Sequence, residues 1–334
     1  MNLLPSEIKR ETLVKSEDTT DDRYGKKPVD RPIEEYLRKG VVNLDKPAGP
    51  TSHEVTSWVK KVLELDKTGH SGTLDPNVTG LLPIMLGNAT KGVDALLTAG
   101  KEYVCLMKLH KPMPEKIIKS VFGEFTGGIY QKPSIKSAVK RETRVRNIYY
   151  LEILEIEDGK VLFRVGCEAG TYIRKLCHDM GMAMGTGASM YELRRTKTGP
   201  FREDETLITL YDLKDAYVEW KENNNEELLR KVILPMEYGL SHLPKIVIRD
   251  NAVDAICHGA SLAAPGVLSL DSDIEKGDLV AVFSQKGEAV SFGRAQMKSR
   301  EIVKAVMGVV VTTDRVFMEP GTYLKGWKAK AKTN

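Results

Sequence analysis

Cysteine, long apolar runs and charge of one sign are all scarce in this sequence, and each shortage removes a class of protein. Cys105, Cys167, Cys177 and Cys257 are scattered along 334 residues, too far apart for a disulfide framework and without the CxxC spacing of a zinc knuckle. Neighbouring pairs such as Cys177-His178 and Cys257-His258 do not converge on one metal from a helix. No metal site is expected, and the thiols read as buried groups in a reducing compartment. No N-terminal apolar segment precedes a cleavage site and no apolar run approaches a membrane span, so an intracellular, soluble chain with no membrane partner is expected. Fifty basic against 46 acidic residues leave a net charge of only +4, too mild to establish a nucleic-acid partner by itself. There is no internal repeat, no low-complexity tract and no Walker-type loop.

What is present suits a globular protein of two ordinary domains, with 41% hydrophobic and 29% charged residues. Residues 1–40 carry nine basic and nine acidic side chains and read as a solvated arm, although Ile33, Tyr36 and Leu37 share a helical face that can dock. From 41 to 243, strands at Val41–Leu44, Leu81–Leu86, Lys101–Leu109, 147–156 and 160–167 alternate with helical stretches. One of these helices starts near Thr51 or Ser52 and presents Val55, Trp58, Val59, Val62 and Leu63 on one face. Two helices separated by Asn223–Asn225 fill 207–243. After Leu243-Pro244, short apolar strands between Gly and Asp turns predict a small β-barrel with its own core. The whole is of α+β class.

The stretch Gly69-His70-Ser71-Gly72-Thr73-Leu74-Asp75-Pro76 holds a lone carboxylate among glycines, a proline and hydroxyl residues. On composition it is a shaped loop in which Asp75 can simply satisfy backbone N–H groups. Arg174 stands in the first turn of a helix opened by Gly170-Thr171, with Thr171 the expected N-cap. A cation there gains nothing from the helix dipole, so a carboxylate partner elsewhere is expected. Tyr103 is either a core aromatic or a platform for a base. The run 131–146 has six basic residues and one acid: a solvated face or a phosphate contact.

These motifs, in this order, resemble the TruB/dyskerin family of RNA pseudouridine synthases. Gly69–Pro76 is similar to its GHxGTLDP signature, Asp45–Ser52 to DKPxGxTS, Lys101–Tyr103 to KxY, Gln131–Lys140 to QxPPxxSAxK with Ser134 in place of the second proline, Cys167–Leu176 to CxxGTYIRxL, and Leu193–Thr196 to LRRT. The segment His258–Val267 resembles the opening of a PUA domain. The resemblance implies a mixed-sheet catalytic domain over 41–243, a PUA RNA-binding barrel over 244–334, and an extension, 1–40, that packs on the barrel.

It implies further that Asp75 is the catalytic carboxylate, held charged by Arg174 in a pocket that excludes water, while Tyr103 stacks on the flipped base. His70, Tyr172, Ile173, Leu193 and Lys46 become substrate contacts, Lys46 with an equally good structural reading as part of the turn under the loop. Lys136, Lys140 and Arg141, with Gly259, Ala260 and Pro265 of the barrel and the lysine-rich end after Lys325, become RNA contacts. Isomerisation needs no redox step, so no cofactor is expected. The match is nearest the archaeal dyskerin branch, which implies a box H/ACA guide RNA, a substrate RNA and three small core proteins, one of them a kink-turn binder. The setting would be cytoplasmic in an archaeon and nucleolar in a eukaryote. A standalone enzyme acting on the tRNA T-loop and a non-catalytic RNA scaffold are the alternatives.

Overall fold

A computed structural model of the chain describes residues 3–132 and 142–325. Two sheets organise these residues. The larger has eleven strands, eight of them in the order Leu207–Ile208, Gly40–Lys46, Thr79–Leu86, Ala188–Thr198, Lys101–Leu109, Lys160–Cys167, Arg144–Glu157 and Gly127–Gln131. Most neighbours are antiparallel, but Thr79–Leu86 meets Ala188–Thr198 in parallel through only two residue pairs, Thr79 with Arg194 and Gly80 with Arg195. That junction is tight: a Cβ on Gly80 would lie 2.2 Å from the Arg195 carbonyl oxygen, and its φ of 98° also favours glycine. The active-site loop leaves the sheet beside this seam.

The smaller sheet has seven strands. Five come from beyond residue 245 in two hairpin-rich runs, one is the short Leu262–Ala263, and one, Thr12–Val14, comes from the N-terminal arm and pairs antiparallel with Val267–Asp271. Three residues with no alternation gave the sequence no strand signal; the edge of the barrel supplies the partner. The arm divides its contacts. Lys15, Asp18, Thr20 and Asp21 bond to the barrel, whereas helix Ile33–Arg38 buries Ile33, Tyr36 and Leu37 against the catalytic sheet.

One expectation about packing needs correction. Trp58 lies at the margin of the apolar face of helix Ser52–Val62 and is 39% exposed, while Val55 and Val59 carry the burial. The barrel has a core of its own, built on Ile246, Val253, Val267, Val280, Val290 and Val310, and a second cluster joins it to the larger sheet: Val41, Met85, Leu96, Phe201 and Leu240 with Phe283, Phe292 and Phe317.

Candidate active site

The loop around Asp75 is held from both sides by backbone bonds to buried polar side chains. Thr51 caps the helix that follows it, accepting from the Glu54 N–H. Ser52, one residue on, is fully buried and grips Leu74 twice, accepting from its N–H at 2.9 Å and donating to its carbonyl at 3.1 Å. The Lys46 ammonium donates to the carbonyls of Pro47, Pro76 and Val78 at 2.8–3.0 Å. Lys46, named above among the substrate contacts, therefore has no exposed atom to offer a substrate; all three donors are spent on the chain on either side of Asp75, and burial depresses its pKa. Leu74 and Val78 anchor in the core. Between them Asp75 projects outward.

Arg174 meets it. The guanidinium hydrogen-bonds the Asp75 carboxylate across 99 residues of sequence, at the start of helix Ile173–Ala183, whose Ile173, Leu176, Cys177 and Met180 are buried. Thr171 is not the cap: its hydroxyl donates back to the Glu168 carbonyl. The helix start is clamped instead by buried Gln131, which accepts from the Tyr172 N–H at 2.9 Å and donates to the Tyr172 carbonyl at 3.1 Å. Tyr172 thus has its backbone fixed, and its side chain is half-buried. The expected water-excluding pocket is not formed by the chain alone, since the Asp75 and Arg174 side chains are 55% and 67% exposed.

Tyr103 is 8% exposed and lies opposite Arg195 across the sheet. Burial raises its hydroxyl pKa while Arg195 opposes the rise. Arg195 is itself buried, and its Nε and Nη2 donate to the carbonyls of Leu81 at 2.7 Å and Gly72 at 3.2 Å. Leu193 is half-buried beside Cys105 on the next strand and Ile173 packs in the same core, so both can wall a pocket. His70 stacks edge-on to His53 at 4.9 Å and accepts from the Gly72 N–H. Burial, with His53 and Arg195 adding repulsion, pushes its pKa down to about 4, so the ring is neutral at pH 7.

The structure brings together Asp75, Arg174, Tyr103, His70, Ile173 and Leu193. The sequence reading missed Gln131, Ser52 and Arg195 as supports, although all three lie inside matched motifs. Lys136, Lys140 and Arg141 lie outside the described residues. Gly259, Ala260 and Pro265 are exposed on the barrel. Gly259 has φ of 88° and open space around it. Gly266 is packed instead, since a Cβ there would meet Ala252 at 3.0 Å.

Comparison with known proteins agrees along the chain. Residues 60–173 match the N-terminal domain of the TruB family pseudouridylate synthases, 174–241 the C-terminal domain of tRNA pseudouridylate synthase B, 244–317 a PUA domain and 2–56 a DKCLD (NUC011) domain. The chain is 62% identical to a probable tRNA pseudouridine synthase B of Methanosarcina barkeri over 98% of this chain and 96% of that one. It is 54% identical to the protein of that name from Pyrococcus furiosus, over 99% and 98%. Among solved structures, a chain of a Cbf5–Nop10–Gar1 complex superposes with a TM-score of 0.94 at 55% identity, over 97% of this chain and 99% of that. One from an H/ACA RNP bound to a substrate RNA containing 2′-deoxyuridine gives 0.91 at 53%, over 97% and 100%. No helix among the described residues is long and apolar enough to cross a membrane. The chain belongs to the TruB/dyskerin family of pseudouridine synthases.

Proposed function

We propose that this chain isomerises uridine to pseudouridine as the catalytic subunit of a box H/ACA guide ribonucleoprotein, with Asp75 as the reacting carboxylate. The observation that carries the reading is the pair Asp75–Arg174, set on two elements that are each clamped by buried polar side chains and open to solvent at the tip. In the reaction the C1′–N1 bond breaks, the uracil turns, and C1′ bonds to C5. A carboxylate can serve as nucleophile or as base on the sugar. The fork of Arg174 keeps it ionised and aimed, Tyr103 offers a face for the flipped base, and Ile173 and Leu193 close its sides. Water exclusion then comes from the bound RNA, covering a pair the protein leaves open.

Division of labour follows the fold. Residues 41–243 would carry the chemistry, and 244–334 would hold the guide through exposed Gly259, Ala260 and Pro265. The arm, 1–40, would tie the two together. The partners are a guide RNA, a substrate RNA and small core proteins: Nop10 and Gar1 by the composition of the similar complexes, with a kink-turn-binding protein as the third. An archaeal, cytoplasmic setting accompanies this reading. A second reading, guide-independent action on the tRNA T-loop, is favoured by the names of the relatives. The test is pseudouridine formation by the full chain with its core proteins, on guide-paired RNA with and without guide, and on a tRNA. Guide-dependent turnover supports the first reading and guide-free turnover on tRNA the second. No pseudouridine from any of them would leave a non-catalytic RNA scaffold.

A further inference from the structure

Beside Tyr103, on its own and the neighbouring strand, lie two buried basic side chains that the chemistry above does not use. Arg195 and Lys101 are 1% and 6% exposed. Lys101 donates to the carbonyls of Ala99, Leu97 and Leu96 at 2.9–3.4 Å, and Arg195 to those of Leu81 and Gly72. Among the described residues neither has a carboxylate partner. The nearest candidate in sequence, Glu102, is taken up by Tyr150, Thr196 and Lys197. Besides burial, the groups that shift Lys101 are Arg195 and Cys167, and the one that shifts Arg195 is Tyr103; no carboxylate is among them. Burial and the repulsion of Arg195 push the Lys101 ammonium down to about 7. An unpaired buried guanidinium is costly, and a smaller neutral donor would reach one loop carbonyl without that cost.

The position of this charge suggests what it does. Arg195 lies against the Tyr103 hydroxyl and one side of the Asp75 loop; a Cβ on Gly72 would stand 3.6 Å from Lys101 Cε and 3.8 Å from Arg195 Nη1. Its field also reaches His70 and Lys46. Arg174, the other guanidinium of the site, is already neutralised by Asp75. So the charge without a counter-ion is on the floor.

We propose that Arg195, with Lys101 behind it, is the positive floor that stabilises the uracil anion formed when the C1′–N1 bond breaks. This rests on the pseudouridine synthase reading above. On cleavage the bonding electron pair leaves with N1 and spreads over O2 and O4, while C1′ either bonds to the Asp75 carboxylate or the sugar gives a proton to it. When C5 attacks C1′, the bond from C1′ to Asp75 breaks and the carboxylate leaves with its electron pair, or, in the base route, Asp75 returns its proton to the sugar; the C5 proton is then lost and one is gained at N1, which gives the neutral product. Fixed donors and charges aimed at developing charge in a dry site act without reorganisation. Arg195 acts through space and through Tyr103, as a positioning residue.

Leaving-group dependence separates this role from a merely structural one. Single-turnover cleavage of the C1′–N1 bond is measured on guide-paired RNA for wild type, Arg195→Gln, Arg195→Lys and Lys101→Met, on target uridine and on 5-fluorouridine at the same position. Fluorine stabilises the uracil anion, so its cleavage depends less on the floor. Arg195→Gln is expected to lose about 100-fold on uridine and several-fold less on 5-fluorouridine, with RNA affinity unchanged and Arg195→Lys recovering part of the loss. Equal defects on both substrates would overturn the proposal and leave Arg195 as a tie for the Gly72 loop. If circular dichroism shows that Arg195→Gln does not fold, Lys101→Met, which leaves the Arg195 bonds in place, carries the same comparison: a smaller defect on 5-fluorouridine supports the floor, and equal defects overturn it. A wild type that makes no pseudouridine would overturn the functional reading itself, and this proposal with it.

Discussion

The two faces of the Asp75 loop are built on opposite principles. Outward, Asp75 and Arg174 form an ion pair more than half exposed, of a kind that adds little to stability because water screens it. Inward, Lys46, Ser52, Arg195 and Lys101 are buried and spend their donors on main-chain carbonyls. Reactivity and rigidity are thus assigned to different side chains. In the proposed function the open pair meets RNA, and the polar groups that fix its aim are removed from solvent, where each bond is stronger and each loss dearer.

The widest gap between the faces is expected from Asp75→Asn. Turnover should fall by roughly a thousandfold or more, since the amide is neither nucleophile nor base. Unfolding free energy should move by less than about 0.5 kcal/mol, as for other exposed substitutions. Pseudouridine formation and urea denaturation on one preparation check both halves, and residual turnover within tenfold of wild type would remove Asp75 from the chemistry.

Arg174→Lys keeps the charge and loses the planar fork that matches a carboxylate. A single-turnover loss of about a hundredfold is expected from the misdirected carboxylate, again with an unchanged melting temperature. Near-normal rates would make Arg174 a phosphate contact and break the assignment of the outer face.

The inner face should behave in the reverse sense. Lys46→Met removes the ammonium from the Pro47, Pro76 and Val78 carbonyls, of which Pro76 keeps the Gly49 N–H, and is expected to cost about 2–4 kcal/mol of stability, visible in the urea midpoint. RNA affinity should be retained at temperatures where the variant is folded. A stable variant with weakened RNA binding would return Lys46 to the substrate contacts.

The smallest effect is on pH dependence. His70 and His242 are both held down to about 4, chiefly by burial, against an ordinary value of 6.5. Between those values the unfolded chain binds more protons than the folded one, so stability should be full above pH 7 and fall as pH drops from about 6.5 towards 4. His242→Gln, away from the loop, should remove part of that slope and leave the pH–rate profile alone. A stability curve flat from pH 7 to 5 would mean that neither ring is held neutral by burial.

Much of this site was legible because its motifs are contiguous. Gly69–Pro76 and Gly170–Arg174 each place their functional residue within one short loop or helix turn, where local rules suffice. Trp58, the arm strand Thr12–Val14 and the cap at Thr171 misled for the opposite reason. Burial of Trp58 depends on what packs against its helix, pairing of Thr12–Val14 on a strand more than 250 residues away, and the start of the Arg174 helix on Gln131 rather than the Thr171 hydroxyl. The junction between the barrel and the larger sheet was hidden likewise, because Phe317 and Val41 meet only when the sheets pack.

Residue type, periodicity and motif order were enough to set the available chemical groups, the α+β class, the family, and the loop that bears the carboxylate. All of these are properties of neighbours in the chain. Which polar side chain faces RNA and which faces backbone was settled only by folding. Lys46 reaches Pro76 across 30 residues, Arg174 reaches Asp75 across 99 and Arg195 reaches Gly72 across 123. The cost of burying a charge depends on what surrounds it after folding. Lysine and arginine look alike in a motif, but a strand that turns one into a dry seam and leaves another at a helix tip gives them different work.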